Sequence, residues 1–212
     1  MARRSVTPAQ RKCRILRDAL LLVVVLVVLV LRLDFPILTA EQALEATQDR
    51  YFFGPGEIIT TLDYSREANQ VKIGQYDRYY ILRHGDWYAW CGVNHYGLFW
   101  QTGGLDAVEN DANLPLVPLI ISDWRTGAVL VISNDPDITQ VEIVFPFSAG
   151  TGYSLLSASQ DQSTENCFLI PYTSEPGFIF LEDLQVKGYD ASGTLIYQSP
   201  IPESWTTQYK LR

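Results

Sequence analysis

The chain reads as mainly β: an N-terminal transmembrane helix, a short second helix, then an antiparallel β-meander leading into a β-sandwich-like region. Three observations carry that reading. Residues 19–31 (ALLLVVVLVVLVL) form an uninterrupted apolar run behind a basic leader. Beyond Gly56 the apolar period changes from helical to alternating. Turn signals rich in Gly, Pro, Asn and Asp then recur every ten residues or so, a spacing that suits the short strands of a sandwich of immunoglobulin-like type.

The leader, residues 1–18, carries Arg3, Arg4, Arg11, Lys12, Arg14 and Arg17 against Asp18. Cationic flanks stay cytoplasmic, which puts the N-terminus inside. Thirteen helical residues reach only about 20 Å, the length of a signal-peptide core. Extended across Arg32 and Asp34 to Leu38, the segment 19–38 approaches the roughly 20 residues a span needs. No small-x-small cleavage site fits well: Leu38-Thr39-Ala40 begins with a large residue, and Ala43–Ala46 falls inside the next helix. The expectation is an uncleaved signal-anchor, with a cleaved signal as the alternative. It implies a single-pass cell-membrane protein, N-terminus cytoplasmic and C-terminal domain extracytoplasmic.

Charge divides at the same place. Residues 1–34 hold seven Lys/Arg and two Asp/Glu, net +5, whereas residues 35–212 hold nine and twenty-two, net −13. An acidic domain disfavours nucleic acid and anionic lipid as partners, since both call for basic patches, and no nucleic-acid partner is expected. It remains compatible with cations or a basic partner protein.

Thr39 with Gln42 three residues on is a capping box, and Gly54-Pro55-Gly56 ends the helix it opens, so residues 39–54 form a helical spacer or lid. Residues 55–102 read as an aromatic-rich meander with strands at Glu57–Tyr64, Gln70–Ile73, Tyr79–Arg83, Trp87–Val93 and Tyr96–Gln101. Residues 103–114 (GGLDAVENDANL) read as a polar linker. The sandwich-like region, 115–200, has candidate strands at Val117–Ser122, Ala128–Ser133, Gln140–Phe145, Gly152–Ser157, Phe168–Pro171, Phe178–Lys187 and Thr194–Gln198. Asp190-Ala191-Ser192-Gly193 is a hairpin signal between the last two. Residues 201–212 are a tail.

Nine aromatic residues fall between Tyr76 and Trp100. Alternation puts Trp87, Ala89, Cys91 and Val93 on one face of a strand, and Tyr88, Trp90 and Gly92 on the other. Either both faces are covered, or one binds a ligand through Trp87, Tyr88, Trp90, Tyr96 and Trp100. Cys91 and Cys167 admit a disulfide or two buried thiols. His84 and His95 lack the further ligands that a zinc site needs, so no metal is expected. The loops Asp106–Asn113 and Asn134–Asp137 are rich in oxygen ligands but lack the order of a calcium loop, and Asn and Asp are ordinary turn residues. Gly54, Gly56, Gly103 and Gly104 form no phosphate-cradling loop with a Lys, so no cofactor is expected. No catalytic pair stands out, and the chain reads as a non-enzyme.

The run FFGPGEII (Phe52–Ile59) with YDRYYILRHGDWYAWCGVNHYGLFW (Tyr76–Trp100) resembles uncharacterised membrane-anchored exported β-domain proteins of Gram-positive bacteria. ISNDPDITQVEIVF (Ile132–Phe145) and LQVKGYDASGTLIY (Leu184–Tyr197) are similar to their β-rich exported domains. The resemblance covers most of residues 39–200 and implies an anchor, an all-β exported region and no assigned activity. The functional expectation is a membrane-anchored interaction module of the cell envelope, contacting another envelope protein. A cell-wall or glycan-binding module is the alternative, and an envelope hydrolase comes third.

Overall fold

The structure, a computed structural model, describes residues 8–33, 37–63, 73–122, 126–150, 152–173 and 180–211. Helix α1 (Pro8–Leu33) contains the apolar run. The expectation of a single-pass anchor is corrected here: among the described residues, no helix is long and apolar enough to cross a membrane. The physical reason is length. The apolar run covers about 20 Å of the roughly 30 Å hydrocarbon thickness. The helical turns before it carry Arg11, Lys12, Arg14, Arg17 and Asp18. The membrane partner and the inside–outside placement built on that span are withdrawn with it.

Helix α2 (Ala40–Tyr51) starts as its sequence dictates. Thr39 Oγ1 accepts the Gln42 N–H at 3.2 Å, and Gln42 Oε1 accepts the Thr39 N–H at 3.3 Å, closing the capping box. The strands that follow are β1 (Glu57–Asp63), β2 (Arg78–His84), β3 (Trp87–Tyr96), β4 (Phe99–Gln101) and β5 (Leu105–Glu109). Next come β6 (Leu116–Ser122), β7 (Thr126–Ser133), β8 (Gln140–Ala149), β9 (Gly152–Gln160), β10 (Ser163–Thr164) and β11 (Cys167–Thr173). A 3₁₀ turn at Leu181–Asp183 leads to β12 (Gln185–Tyr189), β13 (Leu195–Gln198) and a closing turn of helix, α3 (Glu203–Thr207).

Among the described residues every paired strand is antiparallel, and the strands form three sheets. The first has the order β1-β2-β3, with β4 and β5 both paired to the free edge of β3. The second is β10-β11-β7-β6 and the third is β13-β12-β8-β9. The linker stretch 103–114 thus contains a strand, β5. Gly103 and Gly104 before it leave no room for a Cβ beside the Tyr76 ring, which also lies against Gly92. Part of the expected strand Gln70–Ile73 lies outside the described residues. The expected strand Phe178–Lys187 begins outside them, and its described part is a 3₁₀ turn followed by β12.

Side-chain alternation stacks these sheets into layers. Val117, Leu119, Ile121, Ala128, Leu130, Ile132 and Cys167 of the second sheet meet Tyr79, Ile81, Tyr88 and Trp90 of the first. From the other face of the second sheet, Leu116, Val129, Val131, Phe168, Ile170 and Tyr172 meet Val141, Ile143, Phe145 and Val186 of the third. Helix α2 covers the remaining face of the first sheet, with Ala40, Ala43 and Leu44 against Tyr80, Leu82, Ala89, Cys91 and Val93. The order is therefore helix, sheet, sheet, sheet, and the second sheet is buried on both sides.

The 190–193 hairpin forms as its residues specify: Asp190 Oδ1 accepts the N–H groups of Ser192 and Thr194, each at 2.8 Å, and Gly193 adopts φ +80°. The tail closes over the 3₁₀ turn, where Trp205 Nε1 donates to the Asp183 carbonyl at 2.8 Å.

Trp90 ties the first two sheets together, its Nε1 donating to the Ile120 carbonyl at 3.0 Å. Trp90→Ala removes that bond and opens a cavity between layers. A loss of about 3–5 kcal/mol is expected, measured as a lower denaturant midpoint.

Candidate functional site

Where α2 ends, two phenylalanines must go in different directions. The chain leaves the helix with Phe52 in the left-handed region (φ 56°, ψ 29°), and its N–H reaches the Asp49 carbonyl at 3.2 Å. Glycine ordinarily takes this position, because a Cβ is crowded there. Phe53, next in line, packs against the core beneath α2 and meets the His84 ring edge-on at 5.9 Å. Phe52 is thereby turned outward and is 94% exposed. The turn that follows is held from both sides. Gln48 Oε1 accepts the Gly56 N–H at 2.7 Å, and His84 Nδ1 lies 2.9 Å from the Pro55 carbonyl.

Tyr51, Phe52 and Phe53 form one wall of an open cleft of about 550 Å³. His84 and Trp87, at the β2–β3 turn, and residues 105–107 of β5 form the other. Trp87 is 44% exposed, Tyr51 equally so, and the Arg50 guanidinium lies 5.9 Å from the Tyr51 ring centre. The volume is within the range that takes a small ligand or one or two side chains of a partner. The cleft has aromatic surface to bury, and among the described residues that line it Asp106 is the one carboxylate.

Only Trp87 of the five aromatic residues expected to bind lies in this cleft. Tyr88 and Trp90 are packed against the second sheet, and Tyr88 also donates its hydroxyl to Asn166 at 3.3 Å. Trp100 packs beneath α2, with the Arg78 guanidinium 5.0 Å from its ring centre and His95 beside it. Tyr96 is 73% exposed, but it stands at the other end of β3 from Trp87, about 30 Å away at about 3.3 Å per residue. Both faces of β3 are covered, one by α2 and the other by the second sheet.

Cys91 and Cys167 are free thiols, not a disulfide. Cys91 faces α2, and Cys167 lies between the first and second sheets, so a layer of the first sheet separates them. Burial pushes each thiol up to about 12. The oxygen-rich loops serve as turns. Asn110 and Asn134 exchange amide hydrogen bonds at 2.8 and 3.0 Å, and Asp135 Oδ1 accepts the Asp137 N–H at 3.0 Å. Among the described residues, no group of three His, Cys, Asp or Glu converges as metal ligands would.

The residues missed in the sequence are Tyr51, Phe52 and Phe53. The available signal was FF immediately before GPG: two adjacent aromatic residues at a helix end cannot both turn into one core.

A family described as Domain of unknown function (DUF5044) matches residues 36–209. No curated protein and no solved structure matches the chain.

Phe52→Gly relieves the left-handed strain and forfeits almost no buried area. A gain of about 0.5–1 kcal/mol is expected in chemical unfolding. An alkylating reagent at pH 8 should label the exposed Cys13 rapidly, while Cys91 and Cys167 react only once denaturant is added. Mass spectrometry of the labelled protein reads the difference.

Proposed function

The chain belongs to the DUF5044 family, whose domain has no assigned function, and we propose that it is a protein-interaction module docking through the aromatic cleft at the end of α2. One observation carries the reading: Phe52, a large apolar side chain, is held out in water in a backbone conformation that glycine would adopt at lower cost. Stability alone favours neither the exposure nor the residue type. Aromatic side chains standing next to a cleft are the usual anchors of protein interfaces, because they bury much area and lose little rotamer freedom. Phe53, fixed in the core one residue away, makes that anchor rigid before any partner arrives.

A glycan-binding module is the second reading, supported by the half-exposed Trp87 and Tyr51 rings in an open groove, where sugar rings could stack. The two readings part on what the cleft touches. With a photocrosslinking phenylalanine analogue at position 52 of the full chain, one discrete polypeptide adduct is expected. Trp87→Ala should abolish the adduct while leaving the thermal midpoint within a few degrees of the parent. Adducts with polysaccharide alone would overturn the protein-docking reading.

A further inference from the structure

Across the Phe52–Gly56 turn from the aromatic cleft lies a second groove, of about 540 Å³. Its floor is apolar, with Leu44, Pro55 and the exposed Ile58. Its rim is acidic: Glu41, Glu45 and Asp49 follow one another four residues apart along α2. Like charges at that spacing stand on one face of a helix and repel. Arg78 reaches Glu41 at 3.4 Å, while Glu45 and Asp49 lie exposed further along the rim. The rest of the domain adds to the negative field, with residues 35–212 at net −13. A ligand crossing the turn would therefore meet apolar aromatic surface on one side and a row of exposed carboxylates on the other.

Resting on the docking reading above, we infer that the partner enters as a cationic and apolar protein segment. Its Lys or Arg side chains lie along Glu41, Glu45 and Asp49, and an apolar side chain sits against Phe52 and Trp87. Charge complementarity selects this occupant. An acidic or neutral segment would fill the cleft while leaving the helix repulsion unrelieved, and long-range attraction would speed only a cation's approach.

The test uses the full chain and three synthetic peptides of equal length: alternating Lys and Leu, alternating Glu and Leu, and alternating Lys and Ser. Tryptophan fluorescence reports binding, since Trp87 lines the cleft. The Lys–Leu peptide is expected to bind, and the other two are not. Glu45→Gln with Asp49→Asn should weaken that binding about tenfold and flatten its salt dependence. The same charge change at the exposed Asp137 and Asp161, both to Asn, should leave it unchanged. Circular dichroism melting of each variant shows that it is folded. Equal binding of the Glu–Leu peptide, or no loss in the Glu45/Asp49 variant, overturns the cationic partner and leaves the cleft reading standing. Undiminished binding to a chain carrying Phe52→Gly and Trp87→Ala overturns the cleft reading itself. Failure of the Lys–Leu peptide to bind overturns the inference.

Discussion

Strand β7 runs through the middle of the molecule with Ala128, Val129, Leu130, Val131 and Ile132 all withdrawn from water, and its neighbours β6 and β11 are nearly as dry. A sheet buried on both faces must be apolar on both, so this one reads as an unbroken Ala-Val-Leu-Val-Ile run and not as an alternation. That demand organises the other layers. The third sheet has to present Val141, Ile143 and Phe145 to one face, and the first sheet has to present Tyr79, Ile81, Tyr88 and Trp90 to the other. A sheet with only one partner would expose several hundred Å² of aliphatic surface, the size at which apolar patches drive association.

The same constraint explains the wealth of aromatic residues between Tyr76 and Trp100. The first sheet is itself a middle layer, with α2 above and the second sheet below. Large flat side chains fill the gap toward the second sheet, and small ones, Ala89 and Cys91, let α2 approach closely on the other side. The indole N–H of Trp90 and the hydroxyl of Tyr88 find acceptors within that packing, which is the condition for burying such groups without loss. Density of aromatic residues here serves the stacking of sheets. The surface that stands out takes only His84 and Trp87 from this stretch, at its hairpin turn, and its other wall comes from the end of α2.

The candidate site follows from how α2 is fastened. Its N-terminus is set by the capping box, and its C-terminus is set by the docking of Phe53 and by the hold of Gln48 and His84 on the turn at 54–56. Between these fixed points Phe52 has no inward direction left. The exposed ring is thus a consequence of packing decisions made by its neighbours. It also brings an aromatic cleft and an acidic groove to the two sides of a single turn.

Local chemistry wrote much of this into the sequence. Thr39 and Gln42 fixed where α2 begins, Asp190 and Gly193 fixed the last hairpin, and alternation correctly divided Trp87, Ala89 and Cys91 from Tyr88 and Trp90. These are short-range matters, settled by hydrogen bonds and side-chain period within a few residues. The apolar run at 19–31 was equally plain as a helix, but its length and charged flanks fell short of a span. What lay beyond the sequence is whatever depends on partners far along the chain. The stretch GGLDAVEND became β5 because the edge of β3 offered unpaired backbone groups, a fact that no local composition records. Cys91 and Cys167 stayed apart because a sheet came between them. Which of two adjacent phenylalanines would face water was decided only when the sheet beneath α2 offered room for one.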